Sequence, residues 1–343
     1  MQKVTINVVA DYAGVSKKTV SRVLNDEPNV SDKTKEKVRA AFAALAYKPS
    51  PQARGLASNQ SFLIGLIYNN PSKSYISDIQ TGALSICNKE GYHLLIHPTD
   101  HESEDLVNNL RNVLTQSQLD GLVLTPPLSD VEELLDMLEE IAIPYVRIAP
   151  TRKHAISPCV INNDEQAAFD MTQYLISLGH SLIGFIKGHP THNVSKQRFL
   201  GYKRGLESNG ICYDERYVEE GLFDFFSGER CARKLLALET RPTAIFASND
   251  YMAAGVLKVA SQKNIAVPHE LSITGFDNAP LSRYIWPSLT TVQQPIEEMA
   301  CTALKLLIRT IRKEALENRM IQLENRLIIR ESSAPVQPGI SIG

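Results

Sequence analysis

The sequence predicts an α/β protein: a small all-helical module at the amino end, then two lobes, each a doubly wound parallel sheet. Three observations predict it. Between residues 61 and 141, apolar strand-like runs alternate with helical stretches, and the alternation starts again after residue 163. The first 49 residues instead carry three short helical patterns, broken at Gly14 and closed by Pro49. At 343 residues, 43% hydrophobic and 22% charged, the chain is long enough for two or three folded units and carries no low-complexity tract.

In the amino-terminal module, Thr5 is placed to cap a helix whose apolar residues Ile6, Val9, Ala10 and Ala13 recur at helical spacing. Gly14 ends that helix. Ser16 then caps a second one, with Thr19 at its third position, so a stop, a tight turn and a new start fall within a few residues. This is helix-turn-helix spacing. A third helix, capped by Ser31 and carrying Val38, Ala41, Phe42 and Leu45, completes a small core.

On the second helix, Lys17, Lys18, Ser21, Arg22 and Asn25 fall within an arc of roughly 140°, and Val20, Val23 and Leu24 take the other side. Such cations could simply solvate a surface helix. The short turn, the two caps and the donor-only face together match what a helix needs to enter a major groove. Ser16, Thr19, Ser21 and Asn25 are then expected at phosphates, with Lys17, Lys18 and Arg22 nearest the base edges and Thr5 in the same DNA-facing set. Charge agrees: residues 1–60 hold ten Lys and Arg against five Asp and Glu, net +5, and the remainder is net −7.

After Ser61 the strand-like runs are Phe62 to Tyr68, Tyr92 to Ile96, Leu119 to Leu124 and Pro144 to Ile148. A second set follows at Leu182 to Ile186, Thr243 to Ala247 and Leu271 to Gly275. Ligands in such sheets bind beyond the carboxyl ends of the strands. Asn69, Thr125, Ala149, His189, Asn249 and Asp277 stand there and would line a cleft between the lobes. Their amides, hydroxyl and carboxylate suit a neutral polyhydroxylated ligand.

Other classes are excluded or disfavoured. The first residues lack a signal-peptide core and no run of about 18 apolar residues occurs, so a cytoplasmic, nucleoid-associated protein without membrane contact is expected. Cys87, Cys159, Cys212, Cys231 and Cys301 are scattered, which fits core thiols rather than disulfides or zinc. His180, His189 and His192 lie close together, but no nucleophile elbow, phosphate loop or metalloprotease motif accompanies them. His180 follows a helix end and fits a cap or surface role. No catalytic residue, metal or cofactor is expected.

Residues 4 to 60, with AGVSKKTVSRVLN, VSDKTKEKV and YKP, resemble the headpiece of the lactose-repressor/galactose-repressor family of bacterial transcription regulators. SLGHSLIGFIKG, RFLGYKRGL, RPTAIFASNDYMAAGVL, LSITGFDN and WPSLTTVQQP resemble that family's effector-binding core, whose fold is that of periplasmic binding proteins. The resemblance implies a hinge helix that orders on operator DNA and places Leu56, flanked by Ala53 and Ala57, as a wedge in the minor groove. It implies effector contacts from Arg198, Asn249 and Asp277, ring stacking on Phe223, a role for Gln294 near the crossover strands, and first-lobe contacts from Asn69, Tyr75 and Thr125. Phe223 fits a core aromatic equally well, and Asn249 fits a helix cap.

The departures from the family pattern are also legible. Asn7 and Val8 stand where a first-turn carboxylate is usual, Gly55 weakens the hinge helix, Ala149 replaces an Asp after its strand, and YNNPSKSYISDI lacks an aromatic pair. The expected organisation is a headpiece over 1–49, a hinge over 50–60, a first lobe from 61–161 and 294–322, a second lobe from 162–293 and 323–331, and a disordered tail over 332–343. The function this implies is a homodimeric repressor of carbohydrate-utilisation genes. It would bind palindromic double-stranded operator DNA under control of a sugar or glycoside in the cleft. A sugar sensor without DNA binding and a glycoside-processing enzyme are the alternatives.

Overall fold

The computed structural model describes residues 4–24, 29–45, 47, 60–70, 72–150 and 157–337. In the helical module, α1 (Ile6–Ala13), α2 (Lys17–Leu24) and α3 (Asp32–Ala44) enclose Val9, Ala10, Val20, Val23, Val38, Ala41 and Tyr47. Tyr47 stacks on Phe42 with ring centroids 5.6 Å apart, closing the end of α3. Gly14 takes φ 63°, the left-handed conformation that ends a helix, and its N–H reaches back to Ala10 and Asp11.

The expected caps divide. The Ser16 hydroxyl accepts from Thr19 N at 3.1 Å and pairs with the Thr19 hydroxyl at 2.9 Å, so α2 starts as its sequence predicts. Thr5 and Ser31 occupy the cap positions with extended backbones but make no side-chain capping bond. The Ser31 hydroxyl pairs with Thr34 Oγ1 instead. The Asn25, Ala53 and Leu56 expectations, and the hinge with them, lie outside the described residues.

The described remainder contains two larger sheets and a two-stranded pair. The first runs in the order β11-β5-β4-β3-β1-β2, built from β1 (Leu63–Tyr68), β2 (His93–Pro98), β3 (Gly121–Leu124), β4 (Tyr145–Ile148), β5 (Cys159–Asn162) and β11 (Met320–Leu323). Its helices are α4 (Lys73–Glu90), α5 (Leu106–Ser117), α6 (Glu132–Glu140) and α12 (Ile296–Ile311). The second runs β7-β6-β8-β9, from β6 (Ile183–Lys187), β7 (Val218–Glu220), β8 (Ala244–Ala247) and β9 (Ser272–Thr274). Around it lie α7 (Asp164–Ser177), α8 (Asn193–Glu207), α9 (Phe225–Leu235), α10 (Asp250–Gln262) and α11 (Leu281–Tyr284).

Pairing in the second sheet is parallel, with Phe185 opposite Phe246 and Ile186 opposite Ala247. Because side chains alternate along a strand, Phe185 and Phe246 face α7 and α8 while Ile186, Ile245 and Ala247 face α9 and α10. Both faces are covered, which is why these strands read as continuous apolar runs. An antiparallel pair, β10 (Thr291–Gln293) with β12 (Arg326–Ile328), was not anticipated.

Helix α8 lies close on α7 because Gly201 faces it: a Cβ there would meet Glu165 O at 2.1 Å. Gly201→Ala must push α8 outward, and Arg198 sits one turn earlier on the same buried stripe. We expect a stability loss of about 1–3 kcal/mol from overpacking, read as a lowered denaturation midpoint in urea.

The tail corrects an expectation. Residues 332–334 and 336 pack against the second lobe, with Pro335 and Gln337 exposed, and the rest of the expected disordered tail, 338–343, lies outside the described residues. Ser332 is fully buried, its hydroxyl donating to Ile273 O at 2.5 Å and accepting from Thr290 N at 2.8 Å, and Val336 N donates to Leu178 O at 2.9 Å. His180, expected at the surface or as a cap, is also buried. Its ring bonds Thr243 Oγ1 at 2.9 Å, Ser272 Oγ at 3.0 Å and Ala334 O at 3.1 Å. Burial holds its pKa below the usual imidazole value. The segment runs beside β9, with Ile273 N donating to Ser332 O at 2.8 Å, and its two hydroxyls are satisfied, Ser332 by backbone groups and Ser333 by the Thr290 and Tyr174 hydroxyls.

Candidate functional site

The carboxyl ends of the strands in both lobes converge on a cavity of about 40 Å³, the room of one or two water molecules. Its wall includes Tyr75, Arg198, Phe223, Asn249, Asp277 and Gln294, six of the eight residues expected to contact an effector. The other two point elsewhere. Asn69 donates from Nδ2 to Thr99 O at 2.8 Å, and Thr125 is buried with its hydroxyl unpartnered; the next residues, Asn70 and Pro126, line the cavity in their place.

Arg198 is the centre of the site. On the buried stripe of α8 it is 4% exposed, and its guanidinium lies 3.7 Å from the Phe276 ring centroid. Nη1 donates to Ser248 O at 2.5 Å and stands 3.5 Å from Asp277 Oδ1, while Nη2 stands 3.5 Å from Asp164 Oδ2. Those ion-pair distances are well beyond the 2.7–2.9 Å of a strong charge-assisted bond. Its Nε–H is buried and has no partner.

Asp277 follows β9 by three residues with φ 108°, and Phe223 and Ala149 also take positive φ, 62° and 45°. Three wall residues in sparsely populated backbone regions cost of order 1–3 kcal/mol each, and such strain collects at ligand sites. The Asp277 backbone is held by its N–H on Val292 O at 2.8 Å. The loop beyond it is held by Ala279 N on the buried Asp250 Oδ2 at 2.7 Å.

Asn249 confirms its cap reading: Oδ1 accepts from Met252 N at 2.9 Å, and Nδ2 donates to Phe223 O at 2.8 Å. It therefore positions the Phe223 loop as well as lining the cavity. Phe223 is packed into the second-lobe core, as its core reading has it, and also stands in the cavity wall.

Sequence reading missed His192, weighing it only as a catalyst. It is 3% exposed, lines the cavity, and sets its ring edge-on to Phe223 at 5.7 Å. His189 and His101 stand 5.5 and 6.3 Å from it, ring to ring. Thr191 Oγ1 bridges His189 Nδ1 at 2.8 Å and His101 Nε2 at 3.1 Å, tying the second lobe to the first. Among the described residues no group of three or more His, Cys, Asp or Glu is arranged to hold a metal ion.

Electrostatics here run in opposite senses. Burial raises the pKa of Asp277 to about 6, against lowering by Arg198 and Gln294 and with a further raise from Asp164. Burial, then His189, His101 and Arg198, lower His192 to about 4. Burial and the two carboxylates also push the Tyr75 phenol up, so it is a neutral donor.

Folded Asp277 keeps a proton that the unfolded chain releases from about pH 4, so its contribution is full at low pH and is lost as pH rises through 6. Folded His192 refuses a proton that the unfolded chain takes near 6.5, so its contribution is full above that and is lost as pH falls through 4. The two offset each other between pH 6 and 4. Asp277→Asn, which removes the first, is expected to lose melting temperature more steeply than the unaltered protein across that interval in calorimetry.

The helix-turn-helix presents a separate surface. Ser16, Lys17 and Lys18 are exposed, while Thr19, Ser21 and Arg22 are half-buried along the same helix. Val20 and Val23 are buried on its other side. No helix among the described residues is long and apolar enough to cross a membrane.

Residues 5–50 match the family model described as bacterial regulatory proteins, lacI family, and residues 172–333 match a periplasmic binding protein-like domain. The chain is 35% identical over 333 residues to catabolite control protein A of Priestia megaterium, covering 96% of this chain and 99% of that one. The chain belongs to the lacI family of bacterial regulatory proteins. It is also 34% identical over 330 residues to the HTH-type transcriptional repressor PurR of Vibrio atlanticus (strain LGP32), covering 96% and 98%. These lacI-family relatives are regulators, not enzymes. Among solved structures, the lac repressor dimer bound to operator and the anti-inducer ONPF superposes with TM-score 0.79 at 27% identity, covering 97% of this chain and all of that one. The transcriptional regulator CelR in complex with cellobiose superposes with TM-score 0.74 at 28% identity, covering 96% and 99%. The chain is thus a lacI-family DNA-binding transcriptional repressor with an effector-binding type of core.

Proposed function

We propose that this lacI-family protein represses carbohydrate-utilisation genes as a homodimer on palindromic operators, and that a sugar or glycoside between its lobes sets its operator affinity. One observation carries the ligand reading: a buried arginine of the cavity wall keeps an unpartnered N–H, and the same wall sets amide, phenol and carboxylate groups among apolar side chains. Buried donors rarely go unsatisfied, and a ligand hydroxyl is an acceptor that would satisfy this one. The similarity to a regulator solved with cellobiose supports the same class.

The cavity is smaller than a sugar ring, so ligand entry goes with a wider opening of the lobes. The effector then selects among lobe arrangements that already exist. A coupling of about 1–3 kcal/mol would change operator affinity roughly 5- to 150-fold. A homodimer follows because one helix-turn-helix reads a half-site and two-fold pairing supplies the other. The headpiece over 1–49, hinge over 50–60 and interleaved lobes remain the organisation we assign, with the second lobe extended to 337 by its packed tail.

The test is a thermal-shift panel of free monosaccharides and disaccharides. A ligand bound only by the folded state raises the melting temperature with saturation. At least one sugar is expected to raise it; none doing so at millimolar concentration would overturn the carbohydrate reading. For the DNA reading, retention on heparin is expected to fall with salt and to vanish when residues 1–60 are deleted. Retention by the truncated chain would support the sensor alternative.

A further inference from the structure

Three crossovers connect the lobes: β5 to α7, β10 to α12, and β11 to β12. Each contributes an amide side chain to one half-buried cluster, respectively Asn162, Gln294 and Asn325. Asn162 Nδ2 donates to Gln294 Oε1 at 2.9 Å and stands 3.4 Å from Asn325 Oδ1. Asn162 and Asn325 also both donate to Asp164 Oδ1, at 3.1 and 3.0 Å. The other Asp164 oxygen faces Arg198, and Gln294 Nε2 donates to Asp277 Oδ1 at 2.6 Å.

These bonds close a ring: Arg198, Asp164, Asn325, Asn162, Gln294, Asp277 and back to Arg198. Neither Asn162 nor Asn325 lines the cavity. Two features make the ring a device rather than a static brace. Asn162 Nδ2 has two hydrogens for three acceptors within reach, so its bonds exchange instead of being fixed. Arg198 is held by its carboxylates only at 3.5 Å, so a ligand acceptor competes for it on favourable terms. Drawing Arg198 or Asp277 toward a ligand frees an acceptor on Asp164 or the Gln294 amide. The amides at the crossovers then re-pair, and because each stands on a segment that connects the lobes, a new pairing favours a different lobe angle.

We infer that Asn162 and Asn325 are positioning residues that convert occupancy of the cleft into a change of lobe angle. The inference rests on the reading that the cleft holds the effector and that lobe angle sets operator affinity.

The test needs no effector. Full-length protein selects a duplex from random DNA, and fluorescence anisotropy on that duplex measures Asn325→Ala, Gln294→Ala and the double variant. Active fractions are fixed by stoichiometric titration and folding is checked by thermal melting. Each single variant is expected to change operator affinity about five- to thirtyfold. The double variant should fall at least threefold short of the product of the two, because both act through one ring. Asn162→Ala paired with Gln294→Ala is expected to behave the same way, so one poorly folded variant does not decide the matter. Singles within twofold of the unaltered protein, or effects that multiply, would overturn the relay while leaving the effector reading standing. An unaltered protein that selects no duplex would overturn both.

Discussion

Arg198→Ala is expected to lower stability by about 3–5 kcal/mol, because it leaves the Asp164 and Asp277 carboxylates without their buried cation. Loss of the guanidinium from the Phe276 face adds to this. The variant must therefore melt well below the unaltered protein even with no sugar present, and loss of a sugar-induced thermal shift in it would be ambiguous. Arg198→Lys separates the two roles. It keeps the charge between the carboxylates but has no fork to reach Ser248 O and a ligand together. The expected result is a melting temperature nearer the unaltered value, with the sugar-induced shift gone. A Lys variant that still responds fully to the sugar would remove Arg198 from the ligand set.

The second large effect is at the other end of the chain. Replacing Lys17, Lys18 and Arg22 together by Ala is expected to weaken operator binding a hundredfold or more, since a good base contact contributes about 1–3 kcal/mol and each neutralised phosphate adds an electrostatic share. Stability should change little, because the module's core is made by Val9, Val20, Val23 and Val38 on the opposite sides of the helices. The dependence of log affinity on log salt should also flatten by about 0.9 for each phosphate that no longer meets a cation. A variant that binds as before, with an unchanged salt slope, would reduce these cations to ordinary solvated surface. Fluorescence anisotropy at two salt concentrations reads both quantities.

What the sequence made legible, and what it hid, has a physical pattern. The Gly14 stop and Ser16 cap are local, and local chemistry decides them. The apolar runs of β1, β3, β6 and β8 are also plain, because strands buried on both faces are mostly apolar, and β4 reads the same way around its one buried cation, Arg147. β5, β7, β10, β11 and β12 were not read. They are three or four residues long, and several are half exposed, too little for a period to show.

Among the site residues, the misplaced pair shares one cause. Asn69 and Thr125 immediately follow β1 and β3, where a shift of one residue turns a side chain to the opposite face, so Asn70 and Pro126 reach the cavity instead. The crossover amides stayed hidden for another reason. Asn162, Gln294 and Asn325 are far apart in sequence, and only the three crossings bring them together. His192 had a signal, a histidine beside a strand end, but no catalytic partner, and its role in the wall needed no partner.

The central claim is that ligand in the cleft and DNA at the headpiece are coupled. The most direct measurement titrates the selected operator duplex with full-length protein, with and without the sugar that raises its melting temperature. The account predicts tight, salt-sensitive binding that changes at least fivefold when the sugar is added. Identical operator affinity at saturating sugar, or no preference for any duplex in dilute buffer, would contradict it.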